Sequence, residues 1–325
     1  MPSWDRSLSD GALPPLIVVC GATATGKTGL SLALAEQLPG AEIVSADSRQ
    51  VYRGMDIGTA KVSAADRQRV PHHCLDLVEP DQPFSAGEYR RHALQALAGI
   101  AERGGVALLV GGTGLYVRTV ARNLPLEETA TDPELRARLD ARLAGEGLAV
   151  LSDELKRLAP TVAGSTDLAN PRRVVRALER ATLHGDRLPP APAGYPGPSF
   201  WLGLTAAYGV HNRWIAARAA WQFDNGLLEE ATEMRSRFDP DLPAFSAFGY
   251  REAFAVLDGT LTREAALAQT ITRTRQFARR QGTWFRSEPD VTWLDAAADP
   301  LPAALAQVEA FLRPYDRVAA RIRPT

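Results

Sequence analysis

Eight residues near the start of the chain, Gly21-Ala22-Thr23-Ala24-Thr25-Gly26-Lys27-Thr28, constrain the fold more than any other feature of the sequence. They follow the apolar run Leu16 to Cys20 and open a helix-like segment over 29–38. A G-x-x-x-x-G-K-[ST] motif placed between a strand and a helix is a phosphate-binding loop. The glycines let successive backbone N–H groups turn inward around a phosphate. The helix N-terminus adds its partial positive charge. In such a loop Lys27 supplies a point charge, and the Thr28 hydroxyl suits Mg²⁺. Gly21 to Thr28 are therefore the expected cradle of a diphosphate or triphosphate.

The surrounding pattern predicts the sheet that carries this loop. Leu16 to Cys20 reads as a buried strand and 29–38 as its helix. Ala41 to Ala46 reads as a second strand ending at Asp47, 85–102 as a helix, and 106–110 as a strand closed by Gly111-Gly112-Thr113-Gly114. Alternating strands and helices indicate a parallel α/β sheet, with ligands at the carboxyl ends of its strands. The loop 21–28, Asp47 and Thr113 are then expected at one site. From about 121 the texture becomes rich in Ala, Arg, Leu and Glu, with a helix-start signal at Thr131-Asp132-Pro133-Glu134. A Pro-rich connector, 188–198, precedes a further strand at Phe200 to Leu204, and 291–295 reads as a last edge strand. The expected organisation is a P-loop α/β core over 14–124 and 196–325, interrupted by a mostly helical insertion over 125–195.

Composition excludes several classes. No apolar run approaches the ~20 residues of a membrane span, and the first residues lack the basic-then-apolar order of a signal peptide. Cys20 and Cys74 form no CxxC pair, so neither a disulfide framework nor a zinc ribbon is expected, and a reducing cytoplasm fits. The net charge of −1 implies no partner. Its distribution says more. Segment 271–286, ITRTRQFARRQGTWFR, holds five arginines and no acid, and Arg172, Arg176 and Arg180 fall at i, i+4, i+8. Either set can be a solvated helix face. Two arginine-rich segments in a neutral chain, the one over 271–286 also bearing aromatics, favour a polyanion footprint.

A P-loop suggests an ATPase, GTPase or kinase, but those proteins need a carboxylate at the end of a neighbouring strand to hold Mg²⁺. The strand 106–110 ends in Gly-Gly-Thr-Gly, and Asp47 is the only acid immediately after a predicted strand near the loop. A different family fits better. The segments VSADSRQVY (44–52) and GMDIGTAK (54–61), His72-His73-Cys74-Leu75-Asp76, GGTGLY (111–116), PRRVVRALE (171–179), FGYRE (248–252) and the block from Thr274 to Arg286 resemble the tRNA dimethylallyltransferases, or tRNA isopentenyltransferases. The resemblance runs from about 16 to about 295.

The resemblance implies transfer of a dimethylallyl group from dimethylallyl diphosphate to N6 of adenosine 37, in the tRNA anticodon stem-loop, by a cytoplasmic, monomeric enzyme. In that family the P-loop holds a prenyl diphosphate. Gly21 to Thr28 would bind it, with Mg²⁺ on Thr28. Lys27 would stabilise the leaving group, Asp47 would act as general base, and Thr113 would hydrogen-bond between base and diphosphate. Contacts to tRNA would fall on Asp47, Ser48, Arg49, Gln50 and Thr113, on Arg136, on Arg172, Arg173, Val174, Val175 and Arg176, and on Ser246, Ala247, Phe248, Gly249, Tyr250 and Arg251. The target base would have to leave its stack to reach the site. The spacing of His72, His73, Cys74 and Asp76 matches no zinc pattern.

Two departures stand out. Trp214 occupies a position where the family usually has a diphosphate-binding Arg, so Arg213 or Arg218, one turn further on, must substitute or the contact is lost. Val62 replaces a usual Pro. No Cys/His zinc module follows 295, which points to the bacterial or organellar type. The alternatives are an adenylate isopentenyltransferase acting on free nucleotides and a P-loop small-molecule kinase that binds ATP.

Overall fold

The computed structural model describes residues 13–126 and 132–322, with side chains to 315. The N-terminal segment 1–12 and Thr131 of the helix-start signal lie outside the described residues. Two compact units divide the chain: Met1–Asn123 with Gly194–Thr325, and Leu124–Ala193.

In chain order the first unit opens with β1 (Leu16–Gly21), α1 (Lys27–Gln37), β2 (Ala41–Ser45), α2 (Ala64–Arg69) and β3 (His72–His73). It continues with α3 (Ala86–Glu102), β4 (Val106–Gly111) and α4 (Gly114–Ala121). The second unit contributes α5 (Pro133–Glu146), α6 (Leu148–Leu158), α7 (Pro160–Gly164) and α8 (Pro171–His184). The chain then returns to the first unit with β5 (Ser199–Thr205), α9 (Tyr208–Asp224) and α10 (Leu227–Arg237). A 3₁₀ turn (Pro243–Ser246), α11 (Tyr250–Leu257), α12 (Arg263–Arg286), β6 (Val291–Asp295) and α13 (Leu301–Ile322) complete it.

The six strands form one parallel sheet in the order β3-β2-β4-β1-β5-β6. β1 is an inner strand, with Leu16 opposite Ala107 of β4 and Ser199 of β5. A strand covered on both faces must be apolar at every position. Leu-Ile-Val-Val-Cys meets that requirement, and its period of two splits it between two cores. Leu16, Val18 and Cys20 face a core with Tyr89 and Leu97 of α3 and Val117 of α4. Ile17 and Val19 face another with Leu30 and Leu34 of α1 and Ala304 and Val308 of α13. The predicted strands appear within one residue of their expected ends, and β6 is an edge strand. α3 starts at a capping box, in which Ser85 accepts from the Glu88 amide and the Glu88 side chain returns to Ser85. β3 and α13 have no counterpart in the sequence pattern: β3 is two histidines long and carries no alternation.

The helical unit has its own core, built on Leu139, Leu151, Leu155, Val174 and Leu178. α5 begins at Asp132, whose carboxylate accepts from the Glu134 and Leu135 amides, with Pro133 in the first helical position. Glu179 is fully buried in this unit. It is held by Arg136, by Arg176 Nη1 at 2.6 Å and by the Asp132 amide at 3.1 Å. These donors keep its carboxyl below the usual range against the opposing effect of burial.

Candidate active site

The parallel sheet brings the segments after β1, β2 and β4 to one edge. The Ala46 amide donates to the Val110 carbonyl at 2.7 Å, and the Thr113 amide to the Ala46 carbonyl at 3.2 Å. The three predicted strand-end features therefore share one locality. There a cavity of about 440 Å³ is lined by Lys27 and Thr28 of the loop, Asp47, Gln50, Gly112 and Arg218.

The loop has the backbone of an anion nest. Ala24 and Gly26 both adopt left-handed conformations, with φ of 61° and 83°, which turn successive amides to one side. Thr25 is buried, and its hydroxyl donates to the Ala22 carbonyl at 2.8 Å. Two residues not singled out in the sequence fix the loop from outside. Gln281 of α12 accepts from the Thr23 amide at 2.8 Å and donates to the Gly112 carbonyl at 2.8 Å. A ring nitrogen of His211 lies 2.8 Å from the Thr23 carbonyl. A signal for Gln281 was available: it falls on the buried stripe Ala266, Thr270, Thr274, Ala278, Phe285, where a long amide is out of place unless it has partners.

Lys27 is the first residue of α1, and its ammonium donates to the Ala22 carbonyl at 2.7 Å. Desolvation lowers its pKa to about 8; the Asp47 charge opposes the shift and the Arg218 charge adds to it. Burial likewise lowers the pKa of Arg218, again opposed by Asp47. Of the two arginines near Trp214, Arg218 lines the cavity, whereas Arg213 is exposed and outside the lining. One oxygen of Asp47 accepts from the Arg49 amide at 2.8 Å, which fixes the carboxylate as an Asx turn. The Thr113 hydroxyl accepts from the Ser48 amide at 3.0 Å and so braces the segment that carries Asp47; Thr113 itself is not in the cavity wall. Gln50 accepts from the Ser45 hydroxyl at 3.0 Å and donates to the Thr59 and Ala60 carbonyls.

Among the remaining candidates, Arg49 and Ser246 meet. The Arg49 guanidinium donates to the Ser246 hydroxyl at 2.8 Å and to the Pro243 carbonyl at 2.9 Å. Phe248 packs against Phe277 under the Arg273 guanidinium, and Arg251 is exposed. Ala247, Gly249 and Tyr250 are buried, so the side chains of Ala247 and Tyr250 are packing elements here. Val174 and Val175 are likewise buried, turned by α8 into the core of the helical unit. Arg172 and Arg173 are exposed, while Arg136 and Arg176 serve Glu179. The arginine-rich segment is also mixed. Arg273 pairs with the buried Glu252. Arg275, Arg279 and Arg286 line a second cleft of about 200 Å³ with Tyr208, Asn212 and Trp293. His73 is bonded to Glu42, and Asp76 to Lys61 and Arg67, so their polar atoms are engaged by protein. Among the described residues no helix is long and apolar enough to cross a membrane.

The IPP transferase family matches the chain over residues 50–288. The tRNA dimethylallyltransferase of Pelotomaculum thermopropionicum is 40% identical over 291 residues, 88% of this chain and 92% of the relative. That of Salinispora arenicola is 43% identical over 305 residues, 92% of this chain and 87% of the relative. The crystal structure of the full-length tRNA isopentenylpyrophosphate transferase of Bacillus halodurans is 35% identical, with a TM-score of 0.68 over 95% of this chain and 98% of that one. A eukaryotic dimethylallyltransferase captured acting on tRNA, 22% identical, shares the fold with a TM-score of 0.75 over 96% of this chain and 80% of that one. The family match spans most of the chain and full-length relatives agree with it: this chain belongs to the IPP transferase family.

Proposed function

We infer that this chain transfers the dimethylallyl group of dimethylallyl diphosphate to N6 of adenosine 37 in tRNA, releasing diphosphate. The observation that carries the reading is one cavity with cations at the loop side, Lys27 and Arg218, and a carboxylate, Asp47, facing the same space. Family membership supports the same conclusion.

The chemistry suits these groups. The N6 lone pair forms a bond to the allylic carbon, the bond from that carbon to the diphosphate oxygen breaks, and its electrons leave with the diphosphate. Charge grows on the leaving group, where the loop amides, Lys27 and Arg218 are already oriented. N6 becomes acidic as it is alkylated, and Asp47 takes its proton. The Arg49 amide occupies one Asp47 oxygen and leaves the other to receive it. Thr28 lines the cavity beside Lys27, and its hydroxyl is a hard oxygen donor that would hold Mg²⁺. When bound, the ion would neutralise diphosphate charge.

The arginines favour a tRNA over a free nucleotide: Arg172, Arg173 and Arg251 are exposed, and Arg275, Arg279 and Arg286 line an open cleft. The chain is proposed to act as a monomer. Its place of work would be the cytoplasm, where its tRNA substrate is found. The test is incubation with labelled dimethylallyl diphosphate and either unmodified tRNA or AMP. Label entering tRNA alone is expected. Label entering AMP indicates a nucleotide prenyltransferase, and ATP turnover without prenyl transfer a kinase.

A further inference from the structure

Glu230 on α10 lies outside every motif described above, yet it is the most heavily bonded carboxylate near the cavity. One of its oxygens accepts from the Asp56 amide at 2.9 Å and the Ile57 amide at 2.7 Å. The other accepts from the Gly58 amide at 2.9 Å and from the Tyr250 hydroxyl. Three successive amides thus wrap one anion, as in a phosphate nest, but the anion is supplied by the protein. Gln222 of α9 donates to the Ile57 carbonyl at 2.7 Å, the opposite pole of the Gly58 amide's peptide, and to the next carbonyl, that of Gly58, at 3.0 Å. Tyr250 is fully buried against Gly58, where a Cβ would sit 2.4 Å from its ring.

The segment held in this way turns directly into the cavity wall. Thr59, Ala60 and Lys61 line the cavity. The Lys61 amide returns to the Asp56 carbonyl at 2.9 Å and the Ala60 amide to the Ile57 carbonyl at 3.0 Å, so residues 56–61 move as one tight turn. Ala60 is held at φ 50°, a conformation that persists only where the surroundings over-determine it. The Thr59 and Ala60 carbonyls are also the acceptors of the Gln50 side chain, three residues from Asp47.

We propose that Glu230, with Gln222 and Tyr250, is a positioning residue that fixes segment 56–61 as the wall against which the organic part of the substrates fits. It touches neither the P-loop nor the reacting atoms. The proposal rests on the prenyl-transfer reading for its kinetic readout but not for its structural one. A loose wall should leave recognition of the diphosphate intact and degrade recognition of what is attached to it.

Glu230→Ala and the milder Glu230→Gln test this in the full chain. Glu230→Gln keeps the shape but offers only one acceptor oxygen to four donors, so it stays informative if the alanine variant folds poorly. Amide hydrogen exchange at 56–58 should accelerate by at least roughly tenfold, because charge-assisted hydrogen bonds are lost. Affinity for inorganic diphosphate should stay within about twofold, because the loop amides are untouched. The affinity for dimethylallyl diphosphate relative to inorganic diphosphate should fall by roughly tenfold, with a similar rise in the rate of a ten-carbon donor relative to the five-carbon one. A lowered melting temperature with both ratios unchanged would make Glu230 merely structural and overturn the proposal, as would unchanged exchange at 56–58. If the parent transfers no prenyl group to tRNA while exchange and relative affinity respond as stated, the functional reading alone fails.

Discussion

The paired variants Arg218→Ala and Arg213→Ala test the diphosphate end of the site. Arg218 shares the cavity with Lys27, and Arg213, five residues earlier on the same helix, is exposed. A hydrogen bond to a charged group contributes about 1.5–3 kcal/mol, and removing one preorganised donor to a developing anion costs about 10²–10³ in rate. Arg218→Ala should therefore lower kcat/KM for dimethylallyl diphosphate by roughly 10- to 10³-fold, on the same scales. Arg213→Ala should stay within about twofold, the usual range of an exposed substitution. A second effect has the opposite sign. Lys27 loses its proton near pH 8 in the free protein, so donor affinity should weaken above that pH. Desolvation is the main cause of the low value and the Arg218 charge adds to it, so removing Arg218 should move this alkaline limb upward. The assay is donor kcat/KM at saturating tRNA across pH 7 to about 10, with a melting curve for each variant. An Arg218→Ala enzyme within twofold of the parent, with an unmoved alkaline limb, would refute the assignment. A large loss in Arg213→Ala would return the role to the other arginine.

Four further outcomes are expected. Asp47→Asn should lower kcat by roughly 10²–10⁴ with little change in tRNA affinity; its amide oxygen can still accept from Arg49, so melting should be near parental. Thr28→Ala should raise the Mg²⁺ concentration for half-maximal rate by at least roughly tenfold, the scale for losing a partner at a metal site, and Thr28→Ser should restore it. Arg172→Ala should weaken tRNA binding and reduce the magnitude of its log–log salt slope by about one. Arg176→Ala should instead lower the melting temperature, because Glu179 is buried and Arg176 is one of its two cationic partners. Equal melting of both arginine variants with the parent would remove the distinction between them.

That distinction shows where the sequence stops being legible. Arg172, Arg176 and Arg180 share one helical spacing, but only the fold reveals that a buried carboxylate claims Arg176. The sheet was legible because its inner strands are continuous apolar runs between turn residues, and the loop because its motif fixes its own neighbours. β3 was not, since two residues carry no period. Asp47 and Thr113 could be placed together because a parallel sheet aligns strand ends. Gln281, His211 and Glu230 could not, because each acts on a segment more than 170 residues away in the chain. The burial of Tyr250 and Val174 was not legible either, because a motif records which residues matter, not whether they face solvent or core.

The bond from Gln281 to Thr23 also sets an order of events during synthesis. The loop is among the first structured segments made, but the amide that braces it is more than 250 residues downstream. β1 lacks its neighbour β5 until the entire helical unit has been translated. Contacts of such sequence separation form late, after their loop-closure entropy has been met. A nascent chain halted before α12 would expose one side of β1 and carry a glycine loop with no fixed shape. On the proposed function, donor binding would thus be withheld until nearly the whole protein has left the ribosome, and a truncated translation product would sequester no prenyl diphosphate.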